Sequence, residues 1–219
     1  MLERKLSQMR VAILASDGFE EAELMEPRKA LEDEGAKTIV ISLNQGAIRG
    51  MKHDKEAGSI KVDSTLDDAN PEDFDAVLLP GGALNVDSLR VDPRAQKFVR
   101  SIDHARKPIA VICHAPWLLV SAGLVNGRSL TSFHTIQDDI RNAGGLWSDD
   151  AVVRDHNWVS SRQPNDIPAF NREMISLFSS RDGNTTDSSG TGTTTESLGG
   201  PHGGRSMRTI SLHECAIPE

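Results

Sequence analysis

The sequence predicts an α/β fold: a three-layer sandwich with a mostly parallel sheet and helices on both faces. Three observations predict it. Short unbroken apolar runs recur within Arg10–Ala15, Lys37–Leu43, Asp75–Leu79 and Ile109–Ile112, the pattern of strands buried on both faces. Helical stretches separate the runs, and such alternation closes into parallel β-α-β units. In sheets of this kind the ligand lies at the carboxyl ends of the strands. Three unusual segments stand there: Ser16 to Glu20, Pro80-Gly81-Gly82 and Cys113-His114.

Taken in order, residues 1–9 form a polar, pattern-free arm, with Met9 as a candidate start of the folded unit. Arg10–Ala15 is the first strand, and Ser16-Asp17-Gly18 is turn chemistry. Glu20 to Glu34 reads as a helix with acids in its first turn and Gly35 as its stop, and Pro27 predicts a kink or a split. Lys37–Leu43 is the second buried strand. Gly46, Gly50 and Gly58 then punctuate an irregular stretch, in which Ile60-Lys61-Val62 suggests a small hairpin or edge excursion. Asp75–Leu79 is the third strand and runs into the Pro80-Gly81-Gly82 loop. Asp92-Pro93 opens a helix whose apolar stripe is Ala95, Phe98, Val99, Ile102 and Ala105.

The fourth strand, Ile109–Ile112, turns at Cys113-His114 into a helical pattern from Pro116 to Gly123. Ser129 to Phe133 is a further strand, and His134 to Ala143 a helix ended by Gly144. Ala151–Val153 and Trp158–Ser161 are short strands around an Asp155-His156-Asn157 turn. Asp166 caps a last helix bearing Ile167, Phe170, Met174, Leu177 and Phe178. The folded domain is thus expected over residues 10–180. Residues 181–219 form a tail dominated at first by Gly, Ser and Thr, a composition that cannot offset its ordering entropy and predicts disorder.

The chain has 219 residues and a net charge of −8, from 24 basic and 32 acidic side chains. That balance argues against nucleic acid as a structural partner, which needs a basic face. No run approaches the roughly 18 consecutive apolar residues of a membrane helix. Val11–Ala15 is too short for the core of a signal peptide, about 7–15 residues. The two cysteines, Cys113 and Cys215, lie in unlike surroundings and make no disulfide framework. His202 and His213 beside Cys215 do not make a recognised metal spacing. The expectation is a soluble protein of a reducing cytoplasm, with no cofactor and no metal.

Chemistry concentrates at Pro108–Trp117. A side chain raised on an abrupt strand-to-helix turn faces the first free N–H groups of the helix, which favour negative charge. A cysteine so placed should have a lowered pKa and act as a thiolate nucleophile. The alternative for a lone cysteine after an apolar strand is a small buried hydrophobe. Convergence of three loops on one end of the sheet favours the reactive reading.

Longer motifs carry a resemblance. Asp17-Gly18-Phe19-Glu20-Glu21-Ala22-Glu23-Leu24, Asp75-Ala76-Val77-Leu78-Leu79-Pro80-Gly81-Gly82 and Ala110-Val111-Ile112-Cys113-His114-Ala115-Pro116 resemble the ThiJ/PfpI family of the class I glutamine amidotransferase-like superfamily. Leu130-Thr131-Ser132-Phe133, Asn142-Ala143-Gly144-Gly145 and Trp158-Val159-Ser160-Ser161-Arg162 continue it, over about residues 9–179 and most closely to the PfpI branch. The resemblance implies a flavodoxin-like sheet with a nucleophile elbow at Cys113, strained in φ. It implies His114 as base and Glu20 as a protonated carboxyl against the sulfur. Asp87 would be the acid given to the triad by a neighbouring subunit, in a dimer or larger oligomer. Backbone amides at Gly81, Gly82 and His114 would form the oxyanion hole and substrate-binding turn. His134 reads as a bystander, because the family's distal position falls on Phe133. His53, His104 and His156 read as surface residues, and Trp117 and Trp158 as packing.

The implied function is a cysteine hydrolase of the deglycase or glyoxalase type. Its substrates would be methylglyoxal, glyoxal or their early adducts with protein or nucleotide groups, met in stress. An intracellular cysteine peptidase is the alternative, and a redox-sensing stress protein or holdase the second.

Overall fold

A computed structural model describes residues 5–180 of the chain. The expected tail, Cys215, His202 and His213 lie outside the described residues. The first half contains β1 (Arg10–Leu14), β2 (Phe19–Glu20), α1 (Glu21–Asp33), β3 (Lys37–Ser42), β4 (Ala47–Lys52), β5 (Lys55–Lys61), β6 (Ser64–Thr65), β7 (Ala76–Leu79), α2 (Ala83–Arg90) and α3 (Pro93–His104). The second contains β8 (Ile109–Ile112), α4 (Pro116–Ser121), β9 (Ser129–Leu130), α5 (Gln137–Asn142), β10 (Leu146–Trp147), β11 (Val152–Asp155), β12 (Trp158–Ser161) and α6 (Ile167–Ser179).

Seven strands form the central sheet in the order β11-β12-β8-β7-β1-β3-β6. Every neighbouring pair is parallel except the β11–β12 hairpin at one edge. The alternation of side chains across the pleat divides the core in two. Ala12, Leu14, Val77, Leu79, Ile109 and Val111 face α2, α3, α4 and α5. Val11, Ile13, Ala76, Leu78, Ala110 and Ile112 face α1 and α6. This is the three-layer sandwich expected from the sequence. Each fully buried aliphatic or aromatic side chain contributes about 1.5–3 kcal/mol, which is what holds the three layers together.

Several local expectations change. Residues 1–9 are not all a loose arm: Leu6 is buried in the α1–α6 core, and its N–H bonds the Glu34 carbonyl. Pro27 does not split its helix, because α1 runs through it as one 13-residue element. The proline costs the bond that residue 27 would give the Glu23 carbonyl, but it buries on the same face as Leu24 and Leu31. The stretch after Gly82 is a helix, α2, whose two buried apolar positions, Val86 and Leu89, are too few to show a period. The segment expected as a strand over 129–133 pairs only at Ser129 and Leu130, with β10, outside the main sheet. The expected helix over 134–143 begins as a 3-10 turn before α5. Asp92 caps α3 by accepting the Arg94 N–H at 2.8 Å. Asp166 stands at the N-cap of α6 without a capping bond and instead pairs with Arg162 at 2.9 Å. The β4–β5 hairpin is the expected excursion; it pairs with β2 in a small separate sheet. Among the described residues no helix is long and apolar enough to cross a membrane.

Candidate active site

The carboxyl ends of β1, β7 and β8 converge on Cys113. Its backbone is left-handed, φ 63°, a conformation that costs an L-residue about 1–2 kcal/mol. Two bonds hold it there: the Cys113 N–H donates to the Ser161 carbonyl at 3.0 Å, and the Phe133 N–H donates to the Cys113 carbonyl at 2.9 Å. The strain is therefore imposed from β12 on one side and the segment after β9 on the other, and it is the nucleophile elbow expected from the resemblance.

The thiol faces four groups. His114 Nδ1 lies 3.2 Å from the sulfur. The backbone N–H groups of Gly82 and His114 lie near enough to favour its charged form, and the Glu23 carboxyl lies near enough to disfavour it. Burial pushes the thiol pKa up, and so does the neighbouring Glu23, while the two amides pull it down. The expected lowered pKa is thus not what this site gives, because its nearest titratable neighbour is an acid and its surroundings are dry. The thiol has to lose its proton as it reacts, to a base in contact.

Glu23 corrects a second expectation. The resemblance placed the sulfur-facing carboxyl at Glu20, but Glu23, three residues on, occupies that place. It is fully buried on the inner stripe of α1 with Leu24, Pro27 and Leu31. Burial raises its pKa to about 8, so at neutral pH it carries its proton, as a donor to sulfur must. Its Oε2 accepts the Gly81 N–H at 3.0 Å. Its Oε1 is buried with no hydrogen-bond partner among the described residues. Glu20 instead lines the mouth of the cleft, where its carboxylate accepts the His53 N–H at 3.0 Å.

His114 stacks on Phe133, ring centroids 4.9 Å apart, and meets the edge of Trp117. Burial and the neighbouring His134 hold its pKa below the usual value, which keeps the ring neutral. A proton on Nε2, 3.4 Å from Thr135 Oγ1, leaves Nδ1 free to accept from the thiol. The His134 ring lies tilted against Phe133, centroids 4.5 Å apart; it makes no bond to the sulfur and lowers the His114 pKa through space.

The Gly-Gly turn splits its tasks. The Gly81 N–H is taken by Glu23, so only Gly82 and His114 offer amides at the sulfur. A Cβ on Gly81 would lie 2.6 Å from Cys113 Cβ, and Gly82, at φ 93°, has no room for one beside Glu20 N and Gly18 O. Asp87 lies exposed on α2, with no side-chain hydrogen bond among the described residues. The structure therefore joins Cys113, His114 and Gly82 and leaves Asp87 apart.

Two contributors went unread in the sequence. Asn85 is fully buried and bonds both sides of the site, and the β4–β5 hairpin supplies Met51 and His53 to the wall. Met51 and His53, together with Gly18, Leu84, Phe133 and Pro164, line a cleft of about 260 Å³. Larger hollows of about 790 and 470 Å³ lie beside α3 and beside residues 5–9, away from Cys113. Size is not the guide here; the reactive groups converge on the small one.

A family model described as DJ-1/PfpI matches residues 9–177. The deglycase TK1284 of Thermococcus kodakarensis is 42% identical over 170 residues, covering 78% of this chain and 99% of that protein. Protein/nucleic acid deglycase 2 of Escherichia coli is 39% identical, covering 77% and 97%. Among solved structures, Drosophila melanogaster DJ-1beta superposes with a TM-score of 0.71 at 28% identity, over 80% of this chain and 93% of that one.

Proposed function

The chain belongs to the DJ-1/PfpI family, and from that premise we propose that it is a cysteine-dependent hydrolase acting on methylglyoxal, glyoxal or their early adducts. The observation that carries this reading is the contact of Cys113 Sγ with His114 Nδ1 at 3.2 Å, in a cleft whose volume of about 260 Å³ suits a substrate of a few carbon atoms. The names of the relatives above support it.

The chemistry follows from the groups in place. Cys113 sulfur adds to the aldehyde carbon while its proton passes to His114 Nδ1. The carbonyl electron pair moves to oxygen, where the Gly82 and His114 amides receive it. From a carbinolamine adduct the amine leaves the same carbon, taking a proton as the C–S bond forms. With a free aldehyde, His114 returns its proton to the carbonyl oxygen, which gives the hemithioacetal and leaves the ring neutral. In the hemithioacetal of methylglyoxal it then takes the proton on that carbon and delivers it to the ketone carbon through an enediol, giving a lactate thioester. Water adds, the C–S bond breaks, lactate departs and the thiol is restored. Protonated Glu23 supports the sulfur throughout without adding a second negative charge.

We propose further that the active protein is a homo-oligomer in which Asp87 reaches His114 of a neighbouring copy. Asp87 shares the exposed face of α2 with Leu84 and Val91, which are 65% and 73% exposed, a stripe suited to a second copy. A free thiol at Cys113 fits a reducing cytoplasm.

The test is lactate release from methylglyoxal, run beside glycated-peptide repair and casein cleavage, for wild type and Cys113→Ala. Aldehyde-directed turnover lost in the variant, with casein intact in both, supports the proposal. Casein cleavage that needs Cys113 overturns it in favour of a peptidase. No turnover, with peroxide adding oxygen to Cys113, overturns it in favour of a redox sensor.

A further inference from the structure

Asn85 lies at the start of α2, outside the groups that touch the sulfur, yet it is completely buried. Its Oδ1 accepts the Ser16 N–H at 2.6 Å, on the loop that leads from β1 to Glu20. Its Nδ2 donates twice, to the Pro80 carbonyl at 3.0 Å and to the Gly81 carbonyl at 2.8 Å. One amide thus ties the ends of β1 and β7 together.

The two donated bonds have a directional consequence. All peptide bonds described are trans, and in a trans peptide the C=O of one residue points opposite to the N–H of the next. Holding the Pro80 carbonyl aims the Gly81 N–H the other way, and that N–H meets Glu23 Oε2 at 3.0 Å. Holding the Gly81 carbonyl aims the Gly82 N–H the other way, on the side of Cys113, whose thiolate it favours. Both peptide planes flank glycine, which places little barrier on rotating them. Something outside the turn has to set them: the Glu20 N–H shares the Gly81 carbonyl at 3.3 Å, while the Pro80 carbonyl is held by the Asn85 amide.

We propose that Asn85 is the positioning residue of this site: its side-chain amide sets the Pro80–Gly81 and Gly81–Gly82 peptide planes, and so aims one N–H at Glu23 and the other at the reacting oxygen. Only an amide of this length fits the task. It must accept once from Ser16 and donate twice to the turn. Aspartate keeps the shape and the acceptor but loses both donors, and its charge would face two carbonyl oxygens. Leucine keeps the volume and loses all three bonds.

The inference rests on the hydrolase reading for its effect on turnover, and its test therefore includes a readout that needs no substrate. Asn85→Ala and Asn85→Asp are compared with wild type by circular dichroism and melting, by methylglyoxal turnover, and by the pH dependence of Cys113 alkylation with iodoacetamide. Losing one oxyanion donor lowers kcat about 10²–10³-fold. The expected result is a kcat loss of that order with KM changed far less, and a thiol pKa higher than in wild type, because the Gly82 N–H no longer favours the thiolate. Folded variants with the wild-type thiol pKa overturn the proposal whether or not methylglyoxal is the substrate. Absence of turnover in every protein with a shifted thiol pKa keeps the positioning role and overturns only the hydrolase reading. If neither variant folds, amide NMR of the wild type decides. On alkylating Cys113, the Gly82 N–H and the Asn85 side-chain NH₂ resonances are expected to shift together, and an Asn85 signal that stays still overturns the proposal.

Discussion

Glu23 Oε2 accepts the N–H of Gly81 at 3.0 Å, and that bond locks the first helix to the loop that approaches the reactive cysteine. It also sets which acid serves the sulfur. Glu20, Glu21 and Glu23 crowd one turn of sequence, but only Glu23 lies on the inward stripe of α1. A carboxyl placed there has no water to ionise into, and it is held protonated by burial first and by the charge of Glu20 as well.

That protonation predicts a stability signature. The folded-state pKa of Glu23, about 8, is raised above its unfolded value of 4.5. The folded protein therefore holds a proton that the unfolded chain releases, and stability present below the unfolded pKa is lost as pH rises through 8. Each pH unit that separates the folded from the unfolded pKa is worth about 1.4 kcal/mol, so the loss amounts to several kcal/mol. Urea unfolding from pH 5 to pH 9 should show it in wild type, and Glu23→Gln, neutral throughout, should flatten the curve. Parallel curves for the two proteins would show that Glu23 does not hold this proton.

His114 should govern the acid side of catalysis. Its pKa is lowered by burial and by His134, so the ring stays a competent base to a lower pH than an exposed imidazole. The acid limb of kcat/KM is expected below pH 6.5, the ordinary histidine value. His114→Gln should cost about 10²–10⁴-fold in kcat, the usual size of a general-base contribution. Replacing His134 by Ala should raise the acid limb slightly by removing the neighbouring charge. A limb that ignores both substitutions would assign the base elsewhere.

The fold was legible because its strands are buried on both faces. Val11 to Leu14 and Ile109 to Ile112 are apolar at every position, and nothing short of a covered sheet tolerates that. Cys113 was legible for the same reason: it is the first polarisable side chain after such a run. Glu23 was harder, since the resemblance pointed three residues earlier. The residue-level signal was its place in the inward helical series with Leu24, Pro27 and Leu31. Asn85 left no local trace. Its partners include Ser16, 69 residues away, and α2 is too short for its inward face to announce itself. The β4–β5 hairpin joins the cleft through bonds from Arg49 to Asp17 and from His53 to Glu20, again between segments distant in sequence.

The Gly-Gly turn should tolerate no side chain at either position. Gly81→Ala would drive a methyl group between Cys113 and Glu23, and Gly82→Ala would press one against Glu20 N and Gly18 O at a φ of 93°. Gly81→Ala is expected to cost about 1–3 kcal/mol, the scale of overpacking, and Gly82→Ala more than about 1 kcal/mol, the scale of forcing alanine into a left-handed conformation. Each should also abolish thiol-dependent turnover. Melting temperature and methylglyoxal turnover measured together would check this, and a Gly82→Ala protein as stable and active as wild type would refute the geometry given for the turn.

The strain at Cys113 should be measurable by the residue that relieves it. Its φ of 63° is enforced by the Ser161 and Phe133 bonds, and glycine alone takes that conformation freely. Cys113→Ala keeps the strained backbone and loses the sulfur, whereas Cys113→Gly loses the sulfur and the strain. Left-handed geometry costs an L-residue about 1–2 kcal/mol, and the extra freedom of unfolded glycine returns about 0.5–1 kcal/mol of that. The glycine variant should therefore be the more stable of the two by up to about 1.5 kcal/mol, although both are inactive. Urea unfolding of the pair isolates the backbone strain, because the deleted thiol is common to both. An alanine variant clearly more stable than the glycine one would mean that the elbow is relaxed rather than strained, and that Cys113 is raised into the cleft without stored backbone energy.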